Sequence, residues 1–151
     1  ESEHGAHFRE ARQHRASTAK VMFDPLSGRG TASRTGRAGE YLAAHFFERK
    51  GYTATLASAV GFDLVVAKQG KVFLVEVKAR LKTKVDRPNQ MRFKLTSNQI
   101  EADAFCFVNL REQLMLFRKI DDVRHKGQVT LLIKDFTEKN MHDSFAEIFE
   151  Q

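Results

Sequence analysis

The strongest local constraint in this chain is a pair of apolar runs, residues 62–68 and 71–80, separated only by Gln69-Gly70. Both runs are rich in Val, Leu and Phe, which suit a pleated, half-buried surface, and a two-residue spacer ending in Gly supplies the positive backbone angles of a tight β-hairpin. With Gln69-Gly70 as the loop the register follows by counting: Lys68 faces Lys71, Val66 faces Phe73, Leu64 faces Val75 and Asp63 faces Glu76. Alternation puts Val72, Leu74, Glu76 and Lys78 on one face of the second arm, and Phe73, Val75, Val77 and Ala79 on the other. Two charges thus interrupt an otherwise apolar strand.

Around this hairpin the pattern predicts a mixed sheet with helices packed on its faces, an α/β fold. Gly39, Leu42, Ala43, Phe46 and Phe47 recur at helical spacing and Gly51 follows as a stop, so an amphipathic helix runs from about Thr35. Residues 52–57 read as a short strand. Residues 81–95, with Pro88, read as a polar basic loop, and Thr96 or Ser97 can cap a short helix through Gln99, Ile100 and Asp103. Strands are expected at 104–110, 114–120 and 129–134, and a closing helix near 142–149. Before Thr35 there is little periodicity. Residues 1–34 read as a basic arm, with one helix expected between residues 6 and 20 and a turn-like stretch over 24–30, leaving 35–151 as a single domain. At 151 residues, 42% hydrophobic and 29% charged, the chain has the composition of one globular core.

Charge is unevenly distributed. Residues 1–94 hold 18 Lys and Arg against 9 Asp and Glu, a net of +9, whereas residues 95–151 hold 7 against 10, a net of −3. Arg34 and Arg37 precede or enter the first helix, and Arg80, Lys82, Lys84, Arg87, Arg92 and Lys94 crowd the segment after the hairpin. Such clusters attract polyanions through their field and through counterion release, although charge alone equally describes a solvated face. No apolar run approaches the ~18 residues of a membrane span. The lone Cys106 excludes an internal disulfide and fits a reducing compartment, so a cytoplasmic or nuclear location is expected. The chain opens on Glu1 rather than Met, as expected of one trimmed or excised from something longer.

The opposed carboxylates carry the chemistry. Directly paired residues hold their Cβ atoms ~4.5–5.5 Å apart, and two carboxylates that close need a bound cation, the Lys78 ammonium or a shared proton between them. A hard divalent metal is the most economical answer: Mg²⁺, with Mn²⁺ able to take its place, prefers oxygen ligands, and Asp63, Glu76 and the Val77 carbonyl would provide them. Lys78, two residues on and on the same face, could orient an attacking water or stabilise charge on a phosphate. The competing account is a salt-bridge cluster guarding a sheet edge. Histidines 4, 7 and 14 lie in the arm, His45 sits in the middle of a helix, and His125 and His142 have no paired carboxylate at ligand spacing, so no histidine metal site is expected. Gly28-Arg29-Gly30 lacks the spacing of a phosphate loop, so no nucleotide cofactor is expected.

Gly61-Phe62-Asp63 and Val75-Glu76-Val77-Lys78, with twelve residues between Asp63 and Glu76, resemble the Asp and Glu-x-Lys signature of the PD-(D/E)XK nuclease superfamily, which includes restriction enzymes, archaeal Holliday-junction resolvases and some homing endonucleases. Phe62 stands where the superfamily name has Pro. Arg37-Ala38-Gly39-Glu40 resembles the glutamate-bearing first helix of that fold. The resemblance covers residues 35–120 and implies a restriction endonuclease-like αβββαβ core. It further implies Asp63 and Glu76 as ligands of Mg²⁺, Lys78 at the attacking water and Glu40 as a further ligand. Gln99 resembles a glutamine found near the active site in some members. The function implied is a Mg²⁺-dependent DNA endonuclease, gripping phosphates with its basic residues and acting as a homodimer or higher symmetric oligomer, because duplex cutting usually needs two active sites. Two alternatives stand beside it: a catalytically silent nucleic-acid-binding module of the same fold, and a nuclease acting on RNA.

Overall fold

The computed structural model describes residues 28–59, 62–83, 86–95 and 101–151. Thr35–Gln151 forms one compact unit; of the unit before it, Glu1–Arg34, only the helical residues 28–34 are described. The helix expected between residues 6 and 20 and the capping pair Thr96 and Ser97 lie outside the described residues.

Helix α1, Gly28–Arg49, starts earlier than its apolar periodicity suggests, so the turn-like reading of Gly28-Arg29-Gly30 is corrected to helix. Glycine costs a helix about 1 kcal/mol in its interior but clashes with nothing, so a pair at the first turn does not stop it. The helix buries Gly39, Ala43, Phe46 and Phe47 and exposes Arg37, Tyr41, His45 and Glu48. Its end is a Schellman motif: the Gly51 N–H donates to the Glu48 carbonyl and the Tyr52 N–H to the Phe47 carbonyl, with Gly51 at φ 89°. The Phe47 and Tyr52 rings, 5.7 Å apart and edge to face, close it.

Strands β1 (Thr53–Ala59), β2 (Phe62–Lys68), β3 (Lys71–Arg80), β5 (Ala104–Asn109) and β6 (Leu114–Lys119) form a mixed sheet in the order β1-β2-β3-β5-β6. Only the β3/β5 pair is parallel. The β2–β3 hairpin has the expected register from Lys68↔Lys71 to Leu64↔Val75, and both loop residues adopt positive φ, Gln69 at 50° and Gly70 at 78°, as a type I′ turn requires. Alternation along β5 divides the core: Ala104, Cys106 and Val108 join α1 and the closing helix α3 (Glu138–Phe149), while Phe105 and Phe107 point to the other face. Helix α3 is capped by Thr137, whose Oγ1 accepts the Asn140 N–H at 3.0 Å, and it starts a turn before the expected His142.

The second face holds the main departure from the sequence reading. Residues 90–94 are not loop: Gln90–Lys94 forms β4, which pairs antiparallel with β7 (Gln128–Leu132) in a separate two-stranded sheet. Met91 and Phe93 are fully buried, Phe93 lying 5.0 Å from Phe107. Two apolar residues among Arg and Lys are a faint strand signal, and the partner that makes them a strand is nearly forty residues away. The expected strand at 114–120 instead ends at Lys119 and leads into a short helix α2, Ile120–Val123, and that at 129–134 gives way to a 3₁₀ turn at Ile133–Asp135. Glu101 to Asp103 are not helical; the Asp103 carboxylate accepts the Leu74 N–H at 2.8 Å and its own N–H donates to the Leu74 carbonyl, opening the parallel β3/β5 ladder.

Candidate active site

The site lies where β2 parts from β3. The Leu74 and Arg80 carbonyls accept the N–H groups of Asp103 and Leu110, which flank β5; by the alternation of an extended strand, Val75, Val77 and Ala79 then direct their backbone groups toward β2. Pairing with β2 ends at Leu64↔Val75, and the next N–H on that edge, that of Val77, donates to Asp63 Oδ2 at 2.8 Å. The observed register, continued one step past Leu64↔Val75, brings Asp63 opposite Glu76, and the Asp63 carboxylate takes the bond that a continued ladder would have given to a β2 carbonyl. The Val77 carbonyl, sharing the orientation of its N–H, faces the same edge.

Three carboxylates meet there. The Asp63 carboxylate acts by charge and side-chain hydrogen bonding on Glu76 from β3 and on Glu40 from α1. Burial, then the Asp63 charge, push the Glu76 carboxyl up to about 7, with Lys78 pulling the other way by charge and hydrogen bond. Burial and Asp63 raise Glu40 as well, against the pull of Arg37 one turn earlier. Lys78 Nζ stands 3.4 Å from Glu76 Oε1, with both side chains largely covered. The arrangement strains against its own negative charge and is eased by whatever brings positive charge to Asp63. Among the described residues no three His, Cys, Asp or Glu form a ready metal cage; the carboxylates meet pairwise through Asp63.

The remaining candidates divide by their place in the fold. Arg80 and Lys82 continue past Lys78 and are exposed, as are Arg34, Arg37, Arg87 and Lys94. Arg92 and Lys94 belong to β4 rather than to the expected loop, because Met91 and Phe93 anchor that segment in the second core. Arg92 is half-buried, and its Nε is buried with no hydrogen-bond partner among the described residues. Lys84 and Gln99 lie outside the described residues. Cys106 is fully buried in β5, a packed side chain as expected. Among the described residues no helix is long and apolar enough to cross a membrane. Gly39, a point on the buried face of α1, also stands directly before Glu40 and against Ala79 of β3.

No family model matches the chain, and no curated protein does. Among solved structures it is similar to a bacterial homing endonuclease, I-Ssp6803I, with a TM-score of 0.57 at 15% sequence identity, over 70% of this chain and 75% of that one. The likeness is one of fold. The mixed α/β architecture, a five-stranded mixed sheet with flanking helices, is shared with a nuclease scaffold, and the carboxylate fork is a feature of this chain's own residues.

Proposed function

We propose that this protein is a divalent-metal-dependent nuclease of the PD-(D/E)XK type that hydrolyses phosphodiester bonds in DNA. The observation that carries the reading is the convergence of Glu40, Asp63 and Glu76 at one fork, with Lys78 beside them. Oxygen donors in excess of local positive charge suit Mg²⁺ or Mn²⁺, and a pure salt-bridge network has no use for three carboxylates against Lys78 and Arg37. Asp63 and Glu76 would hold the cation, with Glu40 and the Val77 carbonyl completing the oxygen set. When bound, such a cation supplies Lewis acidity to the phosphate and acidifies water.

The chain's own groups do the rest. Asp63 is fixed by the Val77 N–H and so has one orientation to offer. Lys78 is held at Glu76 until that charge is otherwise satisfied, and then has donors for an attacking water or a phosphate oxygen. Exposed Arg37, Arg80, Lys82, Arg87 and Lys94 would supply phosphate-binding charge that sets register more than sequence preference. The fold likeness to a homing endonuclease supports DNA over RNA as substrate, and double-strand cleavage would call for a symmetric homodimer. The test is incubation with supercoiled plasmid, a branched junction and structured RNA, in Mg²⁺ and in EDTA. Cleavage of a DNA substrate only with the metal is expected. Binding without cleavage would assign a silent nucleic-acid-binding module, and RNA cleavage alone would reassign the substrate.

A further inference from the structure

Gly39 is buried on the sheet-facing side of α1, directly before Glu40. A Cβ built there would overlap the Cβ of Ala79 on β3, and would meet the Ala79 Cα and Val77 Cγ1 at 3.7 Å. The nearest approach of helix to strand is therefore set by a missing methyl. Both strand residues at this contact adjoin the site: Val77 donates its N–H to Asp63, and Ala79 follows Lys78.

We propose that Gly39 is a positioning residue: the absence of a side chain there seats α1 on Ala79 of β3 closely enough for the adjacent Glu40 to reach Asp63. The inference rests on the reading of Glu40, Asp63 and Glu76 as one divalent-cation site. An alanine at 39 must separate helix and strand until two methyl groups reach ordinary contact, ~3.5–4 Å. Ala43, Phe46 and Phe47 fix the following turns of α1 in the core, so the strain falls on the part of the helix that carries Glu40. The clash is between two methyls, and removing the other one relieves it. In a Gly39→Ala/Ala79→Gly double variant the nearest atoms to the new Cβ are the residue-79 Cα and Val77 Cγ1, both at 3.7 Å.

The experiment compares wild type, Gly39→Ala and the double variant by calorimetric titration with Mn²⁺ and by crystallography. Mn²⁺ affinity falls about 10–100-fold in Gly39→Ala, the usual cost of losing a residue that orients a ligand, and returns to within about threefold of wild type in the double variant. The Glu40 carboxylate withdraws from Asp63 in the first variant and comes back in the second. Reduced unfolding stability with unchanged Mn²⁺ affinity in Gly39→Ala would overturn the proposal, since a merely structural glycine behaves that way. If Gly39→Ala does not fold, the double variant decides: folded and Mn²⁺-binding supports the proposal, unfolded overturns it. If wild type itself binds no Mn²⁺, the metal-site reading fails and the crystal structures alone decide whether Gly39 positions Glu40; a Glu40 still on Asp63 in Gly39→Ala overturns it.

Discussion

Glu76→Gln should make the metal-free protein more stable, and more so at high pH. The Glu76 carboxyl is raised from 4.5 to about 7 because ionising it places a second charge beside Asp63 in a largely buried fork. In the unfolded chain the group ionises near its ordinary value, so between about pH 4.5 and 7 the native state holds a proton that the unfolded state has released. Stability contributed by this group is thus complete below pH 4.5 and lost as pH rises through about 7, with a slope approaching 1.4 kcal/mol per pH unit. Over the full shift the loss is at most about 3 kcal/mol. Glutamine keeps the shape and carries no charge to lose. Urea unfolding in EDTA from pH 4 to 9 should therefore show a variant advantage that grows by roughly 1–3 kcal/mol between pH 4.5 and 8 and then levels. Millimolar Mg²⁺ should shrink it at pH 8, since only the wild type has the charge the cation neutralises. A difference independent of pH, or one that falls as pH rises, would refute the reasoning.

Lys78→Ala should reduce cleavage by about a hundredfold or more while the protein stays folded; it should also raise the apparent Glu76 pKa further, read by the same pH series, because Lys78 is the group that lowers it. DNA affinity should fall steeply with salt, about −0.9 in log–log slope for each phosphate neutralised, and Lys82→Glu with Arg87→Glu should weaken binding to all sequences alike. A flat salt dependence would point away from nucleic acid. Phe93→Ala should destabilise by about 3–5 kcal/mol in urea titration, because its ring is fully buried against Phe107 in the second core; a surface-loop residue would cost under 1.

The hairpin was legible because two of its determinants are local: Gln69-Gly70 fixes the turn, and alternation fixes which side chains share a face. The same locality made α1 readable from Gly39, Ala43, Phe46 and Phe47. Strand β4 was not, since Met91 and Phe93 become a strand only through β7, and the charges between them mimic a loop. The site divides the same way. Parity brings Asp63, Glu76 and Lys78 to one place, but that Asp63 takes the Val77 N–H depends on where β2 leaves β3, which no local pattern encodes. Glu40 was assigned from resemblance alone; what delivers it, a glycine against an alanine on the third strand that follows, is a contact made close by one missing side chain.

The central claim is that Glu40, Asp63 and Glu76 make one divalent-cation site, and anomalous diffraction from a Mn²⁺-soaked crystal tests it most directly. The account predicts a peak in the β2–β3 fork with Asp63 and Glu76 oxygens both ~2.0–2.6 Å from the ion. A fork without a peak at millimolar Mn²⁺, or a peak bound by only one of those two carboxylates, would contradict it.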